Sequence, residues 1–277
     1  MLRRPFTEEP MSRLAAWSGR LGWFALAVAA LSVVIVRSGV LEIVPALATF
    51  AAALVFAALA ILLAFAAFVS IWRQGYTGLG RAVSGLFLGI ALLAYPGYLA
   101  TRAIKLPMIY DVTTDPANPP RFNALAQARP RNLIDYPAAF APLQHAAYPN
   151  VTPLQYDVPP KLVFDIALAL ITKRKWRVAE ARAPAPARRD GVIETVARSL
   201  IMGFPDDIVI RIAPAGAGTR VDVRAASRYP WPDLGSNANR AQGLLDDIDD
   251  AVSSAPTLRK QPEPEPKPAP KRPEKKK

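Results

Sequence analysis

Residues 46–72, ALATFAAALVFAALAILLAFAAFVSIW, constrain this chain more than any other stretch. They carry no charged side chain, and Thr49 and Ser70 are their only polar ones. About 20 apolar residues suffice to cross a hydrocarbon core. A helix facing water keeps a polar side, which this stretch lacks. A lipid bilayer is therefore the expected solvent. Shorter apolar runs lie on either side, at 21–36 and 82–100. The first follows a basic start, as in a signal peptide, but no small-x-small cleavage site comes directly after it, and further apolar runs do. The reading is a polar N-terminus over residues 1–20, then three transmembrane helices within 21–105, at about 21–40, 45–72 and 82–100.

Pro96-Gly97 is expected to kink the third helix or end it early, because proline removes a backbone donor. Gly85 and Gly89 form a GxxxG pair that lets helix backbones approach closely. Glycine is also common in membrane helices, so the spacing alone decides nothing. A real contact would pack the three helices together rather than join two chains. With the N-terminus in the cytoplasm, Arg3, Arg4, Arg13, Arg20, Arg73 and Arg81 fall inside, and Arg37, Arg102 and Lys105 outside. That asymmetry favours a cytoplasmic N-terminus and a C-terminal domain in the periplasm, the protein sitting in a bacterial inner membrane.

The net charge of +12 divides as +6 over residues 1–105, +1 over 106–255 and +5 over 256–277. Basic character thus lies beside the membrane and in the tail. A nucleic-acid-binding domain would concentrate it in folded structure, so no nucleic-acid partner is expected. Zero cysteines exclude disulfides and thiolate chemistry. A single histidine, His145, makes a zinc site improbable. Neither a GxSxG nor a phosphate-cradling glycine loop is present. No cofactor, metal or catalytic residue is assigned, and an enzyme is the less favoured class. The adjacent pair Asp206-Asp207 would point to opposite faces of a strand and so cannot act as one acid/base couple.

Residues 106–158 are proline-rich and aperiodic, an extended connection packed on the domain that follows. From 159 to 252 the pattern becomes regular: a helix opened by Pro159-Pro160, four strands, and a final helix capped by Asp233 or Ser236. The alternation of Ile208, Ile210 and Ile212 buries one strand face. This order predicts an α+β domain, an antiparallel sheet covered on one face by two helices. Residues 253–277 form a basic, proline-rich tail, expected to be disordered and able to meet anionic envelope polymers or lipid headgroups.

The densest polar grouping comprises Asp222, Arg224, Ser227, Arg228, Asp233, Asn237 and Arg240. Arginines offer planar, bidentate donors to anions, so it reads as an anion or glycan site. Equally, Asp222 and Asp233 could neutralise the arginines and pin the last strand to the last helix.

Four segments carry a family resemblance: DVTTDPANPPRF (111–122), AAYPNVTPL (146–154), GFPDDIVIRI (203–212) and VDVRAASRYPWPDLGSNANR (221–240). Over about 106–250 the chain resembles domain-of-unknown-function family fourteen ninety-nine. Its three-helix part resembles that of alpha-proteobacterial members. The most specific match runs through Asp222, Val223, Arg224, Ser227, Arg228, Asp233, Leu234, Gly235, Asn237 and Arg240, with Ala225 where serine is usual. The resemblance implies domain boundaries and no reaction. The resulting expectation is a non-catalytic binding or envelope-associated membrane protein. The alternative is an envelope enzyme or anionic-ligand carrier working through the Arg/Asp cluster.

Overall fold

A computed structural model of the chain describes residues 10–39, 43–185 and 190–255. The basic tail at 256–277, and with it the expectation of disorder there, lies outside the described residues. Three helices come first, α1 (Arg13–Ser38), α2 (Ile43–Gln74) and α3 (Leu79–Lys105), each long and apolar enough to cross a membrane. They are the three apolar runs of the sequence, lengthened by arginine- and glycine-bearing turns. Pro96-Gly97 does not end α3, which passes through Pro96 and continues to Lys105. Proline forfeits one intrahelical hydrogen bond, and the intact bonds on either side carry a helix of this length onward.

Small residues set how closely the helices meet. Along α2 the buried positions are Ala46, Ala53, Ala57, Ala60, Ala64 and Ala67, a stripe at spacings of seven, four and three. A methyl group built on Gly85 would fall 2.1 Å from Ser18 Oγ on α1. One on Gly89 would fall 2.7 Å from the Ala57 carbonyl oxygen on α2. Each glycine of the GxxxG thus faces a different helix of the same chain. Ser18 Oγ also donates to the Ala60 carbonyl at 2.8 Å, which satisfies a buried hydroxyl inside the bundle.

The remainder is the expected α+β arrangement. Its elements are β1 (Asp111–Thr113), α4 (Phe140–Ala147), β2 (Leu154–Tyr156), α5 (Pro160–Lys173), β3 (Arg177–Arg182), β4 (Gly191–Arg198), β5 (Pro205–Ala215), β6 (Gly218–Ser227) and α6 (Ser236–Ser253). The antiparallel sheet has the order β1-β6-β5-β4-β3. Both β1 and β2 pair with the outer edge of β6, β1 along its second half and β2 along its first. The connection therefore contributes two strands that its proline-rich sequence did not announce. The side chain of Gln144 on α4 finishes that edge: its amide donates to the Thr113 carbonyl at 2.6 Å and accepts from the Thr113 N–H at 3.0 Å. Backbone groups that would otherwise template another strand are thereby paired.

Period-two alternation sorts the sheet into two faces. Ile208, Ile210 and Ile212 on β5, with Val221, Val223 and Ala225 on β6, lie beneath α5 and α6. There they meet Phe164, Ala167 and Ile171 on α5 and Ala241, Leu245 and Ile248 on α6. The opposite face carries Val192, Val196, Val209 and Ala226, covered by Phe122 and Leu125 of the connection. Glu194 stands fully buried among them. Its carboxylate accepts from the backbone N–H groups of Asn123 (2.7 Å), Ala124 (3.2 Å) and Leu125 (2.8 Å). A buried anion is tolerated when so many donors converge on it, and here they fix the strap against the sheet.

Candidate functional site

The sheet separates the polar cluster read from the sequence into two networks. Asp222, Arg224 and Arg228 lie on the face under the connection, and Ser227, Asp233, Asn237 and Arg240 on the side of α6.

Beneath the connection, Arg224 is the largest fully buried side chain of the described residues. It makes a two-pronged pair with Asp111 at 3.0 and 2.7 Å and donates to the carbonyls of Pro120 (3.2 Å) and Ile134 (2.9 Å). The guanidinium groups of Arg224 and Arg129 each lie over the Phe122 ring, 4.7 Å from its centroid. Burial pushes the Asp111 carboxyl above the usual carboxylate range, against the pull of Arg224. Asp207 receives Arg129 at 2.8 Å and Arg228 at 2.8 Å. Asp222 accepts from Arg211 (2.9 Å) and Arg220 (3.1 Å), and Asp115 reaches the same two arginines. Every arginine here already has a carboxylate.

Facing α6, the Asp-Leu-Gly segment makes a sharp entry into the helix. Leu234 (φ 52°) and Gly235 (φ 80°) are both left-handed, a conformation that a leucine rarely adopts. The cap position of α6 is Gly235 rather than Asp233 or Ser236. The turn lets Asp233, two residues earlier, accept from the N–H groups of Gly235 and Asn237, both at 2.9 Å, which pairs a first-turn donor of the helix. The Asn237 amide donates to the Tyr110 carbonyl and to Ser227 Oγ, each at 3.0 Å. Ser227 Oγ donates to Asp206 at 2.6 Å, and Arg240 pairs with the other Asp206 oxygen. Burial raises the carboxyls of Asp206 and Asp233. Asp206 and Asp207 do serve opposite faces of β5, one partnered by Arg240 and the other by Arg129 and Arg228.

The second network forms one wall of a cavity of about 350 Å³ between α3 and the domain. From the last turns of α3 come Tyr95, Tyr98, Leu99 and Arg102. The β4–β5 turn contributes Ser199, Ile201, Met202 and Phe204, and the segment after β6 contributes Tyr229, Trp231 and Asp233. Tyr229 and Trp231 stack with ring centroids 5.2 Å apart, and Phe204 meets both edge-on. Arg37, at the end of α1, donates to the carbonyls of Leu200 (2.8 Å) and Ile201 (3.0 Å), tying the same turn to the anchor. Of the seven residues singled out from the sequence, Ser227 and Asp233 line this cavity. Sequence reasoning missed Arg102, Phe204, Tyr229 and Trp231. The run of aromatics and prolines in Tyr-Pro-Trp-Pro was the signal available. His145 is exposed on α4, away from this wall. Among the described residues no group of three or more His, Asp or Glu side chains is placed to hold a metal ion.

Fold and cavity together define an α+β domain carried on three apolar helices, with a pocket where the two units meet. Residues 111–248 match the model of the family described as Protein of unknown function (DUF1499), and the chain's domain belongs to that family. Among solved structures, the crystal structure of CalU16 from Micromonospora echinospora is similar at 14% identity, over 38% of this chain and 76% of that one, with a TM-score of 0.24. No curated protein sequence matches.

Proposed function

We propose that this protein is a non-catalytic, membrane-anchored binding protein whose ligand sits in the cavity between α3 and the domain. In this reading the three helices cross a bacterial inner membrane with the N-terminus in the cytoplasm, and the domain stands in the periplasm. The basic tail then reaches anionic envelope polymers or headgroups on that side. The observation that carries the reading is the division of labour among polar groups. Arg224, Arg228 and Asp222 are spent on one another's neighbours inside the domain, whereas the aromatic cavity keeps unfilled volume at ligand scale. An enzyme or anion carrier acting through the Arg/Asp cluster would need arginines with donors to spare and a path to them. Arg224, its side chain 1% exposed, has no path to it and has committed four of its five N–H donors within the domain.

The test is to fill the cavity. Full-length protein and a Ser199→Trp/Met202→Trp variant are purified in mild detergent, and bound small molecules are compared by native mass spectrometry. A ligand that co-purifies with the parent and is lost from the variant supports the reading. Equal retention by both sinks it.

A further inference from the structure

The position and charge of the cavity identify a ligand class. Arg81 and Arg102 bracket the apolar part of α3, 21 residues apart in sequence. At about 1.5 Å per residue that is about 32 Å, one hydrocarbon thickness. Arg102 therefore stands at headgroup level when Arg81 stands at the other surface. Arg37 at the end of α1 lies on the same side, bonded to the β4–β5 turn, whose Leu200 is 88% exposed. The apolar turn and the cavity mouth thus face the same layer, where lipid headgroups are the most abundant solute.

The lining is balanced in charge. Arg102 donates to Tyr98 Oη at 3.0 Å and, among the described residues, has no ion-pair partner. A methyl group built on Gly235 would lie 2.8 Å from an Arg102 amino group, so the guanidinium reaches the turn that bears Asp233. Two carboxylates also line the space, and one of them, Asp206, is already paired with Arg240. One cation and one carboxylate remain, beside three clustered aromatic rings. Such rings attract an ammonium group through their faces, and an arginine fork matches a phosphate. A net anion would meet Asp233, and a net cation would meet Arg102. A zwitterion satisfies both.

Resting on the binding role above, we propose that the cavity takes the headgroup of an aminophospholipid from the leaflet facing the domain, with its phosphate at Arg102 and its ammonium between the Trp231 cluster and Asp233. The volume of about 350 Å³ suits a headgroup and its glycerol, the acyl chains remaining in the bilayer along the exposed Tyr95 and Tyr98 of α3.

The test uses the full chain in mild detergent, incubated with equal amounts of phosphatidylethanolamine, phosphatidylglycerol and phosphatidylcholine of identical acyl chains, and read by native mass spectrometry. The ethanolamine lipid should be retained about fivefold over phosphatidylglycerol, which brings no cation to the rings, and over phosphatidylcholine, whose methylated ammonium has no N–H to donate to Asp233. Arg102→Gln and Trp231→Ala should each abolish that preference, and Lys105→Gln, at the same helix end but outside the cavity, should preserve it. Phosphatidylglycerol retained as well as the ethanolamine lipid, or Arg102→Gln behaving like Lys105→Gln, overturns the proposal. So does displacement of the lipid by an equal concentration of soluble glycerophosphoethanolamine, which would make the ligand a free solute. If a different lipid is retained and then lost in the cavity variants, the aminophospholipid assignment fails and the binding site stands. If no lipid or solute is retained, both fail.

Discussion

Replacing Arg224 with methionine asks whether the arginines under the connection hold the domain together. The side chain makes four hydrogen bonds, two to Asp111 and one each to the carbonyls of Pro120 and Ile134. Methionine fills most of the volume and makes none of them. Breaking a buried ion pair from one side costs about 3–5 kcal/mol, and the orphaned carbonyls add to it, giving about 4–6 kcal/mol. That is a large share of the roughly 5–15 kcal/mol that holds a typical domain. Most of the loss comes from Asp111 left in a dry site without its partner. Adding Asp111→Leu should therefore recover at least about 2 kcal/mol, because a buried pair replaced whole is tolerated far better than one broken. Urea unfolding of the full chain in mild detergent, followed by fluorescence, reports on it, since Trp176 and Trp231 lie in the domain. At a slope of about 2 kcal/mol per molar urea, the single variant shifts the midpoint down by about 2–3 M. A loss under about 1 kcal/mol, or a double variant no better than the single, would refute the reasoning.

Three further outcomes follow from the same geometry. Glu194→Gln removes the charge that three backbone N–H groups share, and should cost about 1–3 kcal/mol while releasing hydrogen-exchange protection at residues 123–125 before the rest of the domain. Gly85→Leu puts a side chain where Ser18 already lies, so it should splay α1 from α3 and lower the bundle's heat stability, measured by aggregation onset in detergent, while Gly80→Leu, in open space, should not. Asp111, Asp206 and Asp233 hold their protons more tightly folded than unfolded. Their contribution to stability is complete below the ordinary carboxylate value and is lost as pH rises through the raised folded values. Lowering the pH from about 7 to 5 should therefore leave the urea midpoint unchanged or higher, and a fall would show that the ion-paired carboxylates dominate instead.

How far the fold can be read from the residues depends on which physical signal each part leaves. The anchor is legible because a charge-free run of such length has no stable place in water. The helix-side core is legible through the isoleucine alternation of β5. By contrast, β1 and β2 are three residues each, and they exist because β6 offers an unpaired edge. No local propensity announces a strand that tertiary pairing creates. Arg224 and Asp233 could be named from composition and spacing. That they stand on opposite sides of the sheet follows from strand parity, which puts Arg224 beneath the connection and Ser227 against α6. The cavity was hidden for a different reason: its walls come from α3, the β4–β5 turn and the segment after β6, which only the folded chain brings together.

The central claim, a domain held outside the cytoplasm by helices that cross the bilayer, can be tested cleanly because the chain has no cysteine of its own. Single cysteines are placed at two exposed positions, Gln74 at the C-terminal end of α2, and Asn150 in the domain. Intact spheroplasts are then treated with a membrane-impermeant maleimide. The account predicts labelling of Asn150→Cys from outside, and of Gln74→Cys only after lysis. Labelling in the reverse order, or of both only after lysis, would contradict it.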